Sequence, residues 1–339
     1  MKSVRLILGV LMLCSTMIAA GFSNPEKLRE VWDYHILFTD NEGVCWLGHN
    51  SEEESYFYSY QDTGWVFETK APLRLGDACI DNEGTLYVMD GRGFVEFDGE
   101  DYTEYTLLPE LFSESSEPYI IPGYESGVWI AGTLSKTKGW AILSYEEGKY
   151  SNLFINRFAE GSFLDFTKDA RGNVWMSGQR SKGLFDYIEL QNNDGKTWSK
   201  YYTLDAGKLG NYLQFAPDNE GGLWALWRKG DPYVVQVSHF DGEEWSESVG
   251  NEFAEVIAVD AKNNTWMFGP MKPSEDAEFD IYYAVNTGDG WSEPEALFPD
   301  TASDVLPQIA VDGEGRVWCA WSSERDGVPS VWITYTGLK

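Results

Sequence analysis

The chain has 339 residues, a formal net charge of −30, and 15 Trp, 19 Tyr and 18 Phe. So many large apolar side chains exclude a disordered polyanion and suffice to bury several cores. The acidity argues against nucleic acid or an anionic membrane as partner, because their phosphates would be repelled.

At the N-terminus, Lys2 and Arg5 precede the apolar run Leu6 to Ile18, which ends in Ala19-Ala20-Gly21 and then Ser23. This is the layout of a secretory signal over residues 1–21, cleaved near 20–23, and it leaves 24–339 as one secreted or periplasmic domain. The run is shorter than the roughly 20 residues a bilayer requires, so no transmembrane segment is expected. A lipid anchor at Cys14 ranks second, since Leu13 stands where a lipoprotein signal carries a small residue. Without the signal three cysteines remain, Cys45, Cys79 and Cys319, all in predicted strands. An odd number rules out a fully paired framework, and buried free thiols are expected, with a Cys45–Cys319 bridge as the alternative.

From residue 40 onward one pattern, Asp-x-x-Gly-x-x-Trp, recurs. Its copies start at Asp40, Asp81, Asp169, Asp218, Asp260 and Asp312, with a degenerate copy Tyr124-Glu-Ser-Gly127-Val-Trp129 between the second and third. Adjacent intact copies are 41 (Asp40 to Asp81), 49 (Asp169 to Asp218), 42 (Asp218 to Asp260) and 52 (Asp260 to Asp312) residues apart, a propeller-like period. Each copy reads as a hairpin: the Asp bonds its own following backbone, and Gly or Asn takes the left-handed conformation of the turn. The closing aromatics Trp46, Tyr87, Trp129, Trp175, Trp224, Trp266 and Trp318 read as core between sheets. A sugar-stacking platform is their other reading.

Between these copies lies a second hairpin signal, an acidic residue and Gly followed by an aromatic. It appears at Asp62, Asp98, Glu147, Asp194, Asp241 and Asp289. Two hairpins per period, with no helical periodicity, predict an all-β fold: a seven-bladed β-propeller of four-stranded antiparallel blades, strands A to D. Blade seven lacks its outermost strand, which is expected from the N-terminus near Asn24 to Trp32, closing the ring and removing an open edge.

The Asp-x-x-Gly-x-[Leu/Val]-Trp copies resemble the repeats of two-component-regulator-type and streptogramin-lyase-like propellers. The C-terminal third, from Asp280-Ile-Tyr-Tyr283 through Gly290-Trp-Ser-Glu-Pro294 to Trp318-Cys-Ala-Trp321, resembles sialidase-like (BNR-type) secreted propellers. Together these cover nearly all of the mature chain, and what they imply is architecture. A sialidase Asp box has its Gly two residues after the Asp and this repeat has it three after, so the sialidase arginine cluster is not carried over. His35, His49 and His239 show no local motif for lyase chemistry.

Strand alternation sends the A–B and C–D turns to one face, short and regular, and the B–C and D–A loops to the other, which is variable. Binding residues concentrate on irregular loops held by a rigid scaffold. Three residues past the core aromatic, strand B reaches the variable face with His49, Asp90, Gly178, Trp227, Gly269 and Trp321, where the small residues would leave room. Trp227 beside Arg228, and Trp321 beside Arg325, would suit carbohydrate or carboxylate ligands by stacking and bidentate bonding; Arg180 lies on the same face. The bland reading makes these Trp core and these Arg solvated.

Along the innermost strand, Asp77, Asp165, Gln214 and Gln308 are polar where a strand interior would be apolar. They line a wet central channel, either holding a cation such as calcium or bonding one another and water. No metal motif, nucleophile elbow or phosphate loop occurs, and no cofactor is expected. The expected function is a non-catalytic, monomeric propeller binding a glycan, peptide or extracellular protein. The alternative is a hydrolase or lyase acting on a carbohydrate, its residues drawn singly from different blades.

Overall fold

A computed structural model describes residues 21–29, 35–51, 53–62, 64–110, 112, 118–123, 126–135, 140–156, 163–182, 185–193, 197–200, 202–207, 212–230 and 232–337. The expected signal segment, Trp32, Tyr124 of the degenerate repeat, and Asp194 and Gly195 of the fourth blade lie outside them. The described residues form twenty-eight strands and no helix, arranged as seven four-stranded antiparallel sheets. The innermost strands are His35–Thr39 (blade I), Asp77–Ile80 (II), Tyr119–Pro122 (III), Phe163–Lys168 (IV), Leu213–Pro217 (V), Val256–Val259 (VI) and Asp304–Val311 (VII). Each contacts the next, and blade VII contacts blade I, so the seven blades form a closed ring.

As the edge-strand argument requires, blade VII is completed from the other end of the chain. Glu26–Arg29 pairs antiparallel with Ser330–Tyr335, with Glu26 opposite Ile333 and Lys27 opposite Trp332. Just before it, Ser23 N donates to Tyr335 O at 2.8 Å, and the Phe22 ring packs 5.0 Å from that of Tyr283 in blade VI.

The repeat works as a turn clamp. In all six intact copies one oxygen of the Asp, Oδ1, accepts the backbone N–H groups two and four residues on, at 2.6 to 3.0 Å. The Gly position takes φ between +63° and +88° in every copy, Asn263 included at +65°. The other oxygen, Oδ2, accepts the indole N–H of Trp46, Trp175, Trp266 or Trp318 at 2.7 to 3.0 Å. Blade II has Tyr87 instead of Trp, and there Asp81 Oδ2 accepts Gly127 N of the next blade. In blade V it lies 2.8 Å from His239 Nε2, and that ring packs 4.7 Å from Trp224. The motif therefore positions its aromatic by a charge-assisted bond as well as by burial.

Among the described residues there are seven apolar clusters, one at each blade junction. Tyr87, Trp129, Trp175, Trp266 and Trp318 are buried in them, while Trp46 and Trp224 are half-buried at their edges. Cys45, Cys79 and Cys319 are free, buried thiols within this core, and burial pushes each of them up from the ordinary thiol range.

Candidate functional site

The structure separates the two faces of the ring by how they use their polar groups. On the regular face the A–B turns bond to one another around the ring. Asn41 donates to Asn82 O at 3.0 Å, Asn82 to Gly123 O at 3.3 Å, and Lys168 to Gly123 O at 2.8 Å. Arg171 donates to Glu220 O, Asn219 to Asp260 O, and Gly313 N to Gly43 O, at 2.7 to 2.9 Å. Asn41, Asn82, Asn219 and Gly313, each directly after its motif Asp, thus have a structural task, bridging to a neighbouring blade.

The axis residues have one too. Asp77 accepts Ala78 N at 2.9 Å and, with its other oxygen, Ile120 N of blade III at 2.9 Å. Asp165 does the same with Phe166 N and with Phe215 N of blade V, both at 2.8 Å. Gln214 accepts Ile257 N of blade VI at 2.8 Å with its side-chain oxygen. These three positions staple blades II to III, IV to V and V to VI, and Gln308 occupies the equivalent sequence position in blade VII. Burial pushes the carboxyls of Asp77 and Asp165 up to about 7 despite these bonds. Among the described residues no three His, Cys, Asp or Glu side chains come close enough to share a metal ion.

On the variable face the residues singled out from sequence divide. Trp227 and Trp321 are buried inter-blade core, and Trp227 Nε1 donates to Asp205 O of blade IV at 3.0 Å. This corrects the expectation that they stand at a ligand surface. A spacing of three along a strand turns a side chain to the opposite sheet face; in a ring each blade is covered on both faces, so that side is core as well. Gly178 and Gly269 leave no room either. A Cβ at Gly178 would come 2.6 Å from Trp140 Nε1, and one at Gly269 would come 1.8 Å from Phe253 O. His49 is buried and stacked on Tyr56 and Tyr58, at 5.5 and 5.8 Å. The side chain of Arg180 lies outside the described residues.

The remaining three residues do reach the variable face. Arg228 is half-buried, its guanidinium 4.9 Å from the Tyr212 ring and 4.7 Å from the Tyr233 ring, and it pairs with Glu255 at 3.3 Å. Burial raises the Glu255 carboxyl, and Arg228 counteracts this. Tyr233 is exposed. Asp90 lines a cleft of ≈ 330 Å³ with Asn50, Arg74, Leu75, Gly76, Gly91 and Pro118, at blades I to III. It accepts the Tyr105 hydroxyl at 2.6 Å and the N–H groups of Arg92 and Gly93. Arg325 lines a second cleft, of ≈ 460 Å³, with Glu278, Thr301, Ala302, Ser303 and Glu324, at blades VI and VII. Its guanidinium bonds Asp304 and Phe298 O, lies 3.6 Å from Asp300, and sits 5.2 Å from both the Trp321 and Trp332 rings.

Sequence reasoning missed Tyr212, Tyr233, Glu255 and Arg74. Tyr233 follows Asp231-Pro232 in a B–C loop, and an aromatic in a loop was the signal available for it.

No protein-family model matches the chain, and no curated protein matches it. Solved structures do. A protein of unknown function from Dyadobacter fermentans aligns over 93% of this chain and 98% of its own, at 12% identity and a TM-score of 0.53. A puromycin-hydrolysing peptidase from Mycobacterium tuberculosis aligns over 91% of this chain at 11% identity and a TM-score of 0.60, and a Hadza microbial sialidase over 90% at 11% and 0.50. This chain spans 52% of the peptidase and 65% of the sialidase. Identities this low carry the propeller fold and nothing more specific.

Proposed function

We propose that the protein is an exported, non-catalytic propeller that binds a glycan, peptide or protein partner through its variable face. One observation carries this reading. The regular face bonds its polar groups turn to turn, whereas the variable face holds both clefts, the Arg228 sandwich and exposed Tyr119, Tyr233, Val234, Phe279, Leu306 and Val328. Among the described residues, no exposed large apolar side chain sits in an A–B turn. The N-terminal charge and apolar pattern supports export by a signal cleaved near residues 20–23, with the propeller over 24–339.

A second reading, a hydrolase acting on carbohydrate, draws on Asp77 and Asp165, because a carboxyl near 7 suits acid–base work. All four of their oxygens, however, already accept backbone N–H groups across or within blades. That bonding accounts for both residues as staples, so binding is the preferred function.

The test is a glycan array and a peptide array probed with the full chain, followed by variants on each hit. Arg228→Ala should weaken binding, by about thirtyfold where the guanidinium anchors the ligand, and Glu243→Ala in a C–D turn should leave affinity unchanged. The reverse result would assign binding to the regular face.

A further inference from the structure

We propose that the cleft between blades VI and VII docks a cationic, partly apolar peptide segment of a partner protein. This rests on the variable face being the binding face, and adds the place and the chemistry of the partner. The cleft is walled by Glu278 from the B–C loop of blade VI and by Glu324 from that of blade VII, with Thr301 to Ser303 of the connecting loop between them. Three exposed apolar residues lie within a few chain positions of its lining. Asp304 N donates to Phe279 O at 2.7 Å, and Asp304 pairs in register with Ser323, at the root of the loop that carries Val328. Leu306 follows two residues later. Phe279, Leu306 and Val328 are 37%, 53% and 36% exposed.

Leu306 is the least expected of them. It has φ +56° in a bulge of the innermost strand and directly precedes Pro307. A left-handed backbone is unfavourable for a side chain with a Cβ, and strain of this kind clusters at binding sites. Glycine would relieve it, yet a leucine is held there, directed to solvent.

Charge decides what the cleft accepts. The one arginine lining it is already paired with Asp304 and flanked by Asp300. Glu275, Asp276, Glu278 and Glu324 are exposed and form no ion pair among the described residues. Lys272 Nζ lies 4.8 Å from the Phe279 ring, so the ring already receives a cation on its face. An anionic ligand would meet uncompensated carboxylates. Lysine or arginine side chains would find ion-pair partners, and neighbouring apolar side chains would cover Phe279, Leu306 and Val328.

The probe is a short labelled peptide alternating lysine and leucine, read by fluorescence anisotropy on the full chain at physiological ionic strength. One control peptide alternates glutamate and leucine, another lysine and serine. We expect the lysine–leucine peptide to bind best. The double variant E278Q/E324Q should weaken it about fivefold, as two partly screened ion pairs would. The regular-face double E243Q/E244Q removes the same charge and should change nothing. Leu306→Gly should lower affinity while raising the melting temperature, a combination that a purely structural leucine would not give. The proposal is overturned if the lysine–leucine peptide does not bind, if the glutamate–leucine peptide binds as well, or if both double variants weaken binding equally, which would indicate bulk charge. Loss of binding in Arg228→Ala but not in E278Q/E324Q would keep the variable face and overturn this cleft. Loss only in E243Q/E244Q would overturn the face itself.

Discussion

The A–B turns and the B–C and D–A loops connect the same strands at opposite ends, and they use side chains in opposite ways. At the A–B end, the motif Asp is saturated by its own turn and, in four of the six intact copies, by its own tryptophan, while Asn41, Asn82 and Asn219 bridge to the neighbouring blade. At the other end Arg228 and Arg325 sit on aromatic rings, as Arg316 does at the A–B end, but here Arg325 also lines a cleft and apolar side chains stand in solvent. The carboxyls shift with their local contacts: backbone N–H groups hold Asp98 and Asp241, in C–D turns, below the usual carboxylate range, Lys27 does the same for Asp326 in a B–C loop, and burial raises Asp77, Asp165, Glu255 and Asp304. What the difference teaches is that repetition marks structure: a position that must serve every blade is committed to the ring, and only unrepeated positions are free to bind.

The largest expected effect tests the committed side. Trp318 is fully buried and bonds Asp312 at 2.7 Å, so Trp318→Ala should cost about 3 to 5 kcal/mol in denaturant unfolding. Trp224 is half-buried and its Asp bonds His239 instead, so Trp224→Ala should cost less. Equal melting of Trp318→Ala and the parent would remove the motif aromatics from the core.

Two glycines then compare the ends directly. Gly43 at φ +83° and Gly327 at φ +80° share a backbone conformation, one in an A–B turn and one in a B–C loop. A Cβ at Gly43 would lie 2.4 Å from Gly313 Cα, whereas one at Gly327 meets nothing within 4 Å. Gly327→Ala should show only the left-handed penalty, about 1 kcal/mol. Gly43→Ala should cost about 2 kcal/mol more, because the blade I and VII turns must part. Similar losses for both would mean that the contact between turns adds nothing to the ring.

The fold was legible because its signals repeat: the Asp-x-x-Gly turns, the second hairpins and the missing seventh outer strand each predict what the structure holds. The buried thiols were legible for the same reason, as strand positions in a core. Site residues were legible only in part. Trp227 and Trp321 were misplaced because an aromatic beside an arginine looks the same whether the next blade covers it or solvent does, and only the ring decides. The Arg228 sandwich draws Tyr212, Tyr233 and Glu255 from two inner-strand approaches and a loop, a proximity that no spacing along the chain encodes. The axis residues were found by their polarity, but their partners are backbone groups of the next blade, which carry no sequence signature.

The last expected effect is in pH, and it separates the two sets of carboxyls. Asp77 and Asp165 have folded-state values of about 7, above the 3.8 of an unperturbed aspartate, so the folded chain holds protons that the unfolded chain has released. Their contribution to stability is fully present below the unfolded value and is lost as pH rises through about 7. Asp98 and Asp241 act in the opposite sense: their contribution is present above the unfolded value and is lost as pH falls below it. Melting temperature should therefore decline from about pH 5 to about pH 7.5. In Asp165→Asn the decline should be shallower, whatever the substitution does to absolute stability, because one of the retained protons is gone. An unchanged slope in that variant would mean that Asp165 is ionised in the folded ring, and that its bonds to Phe166 and Phe215 hold a charge.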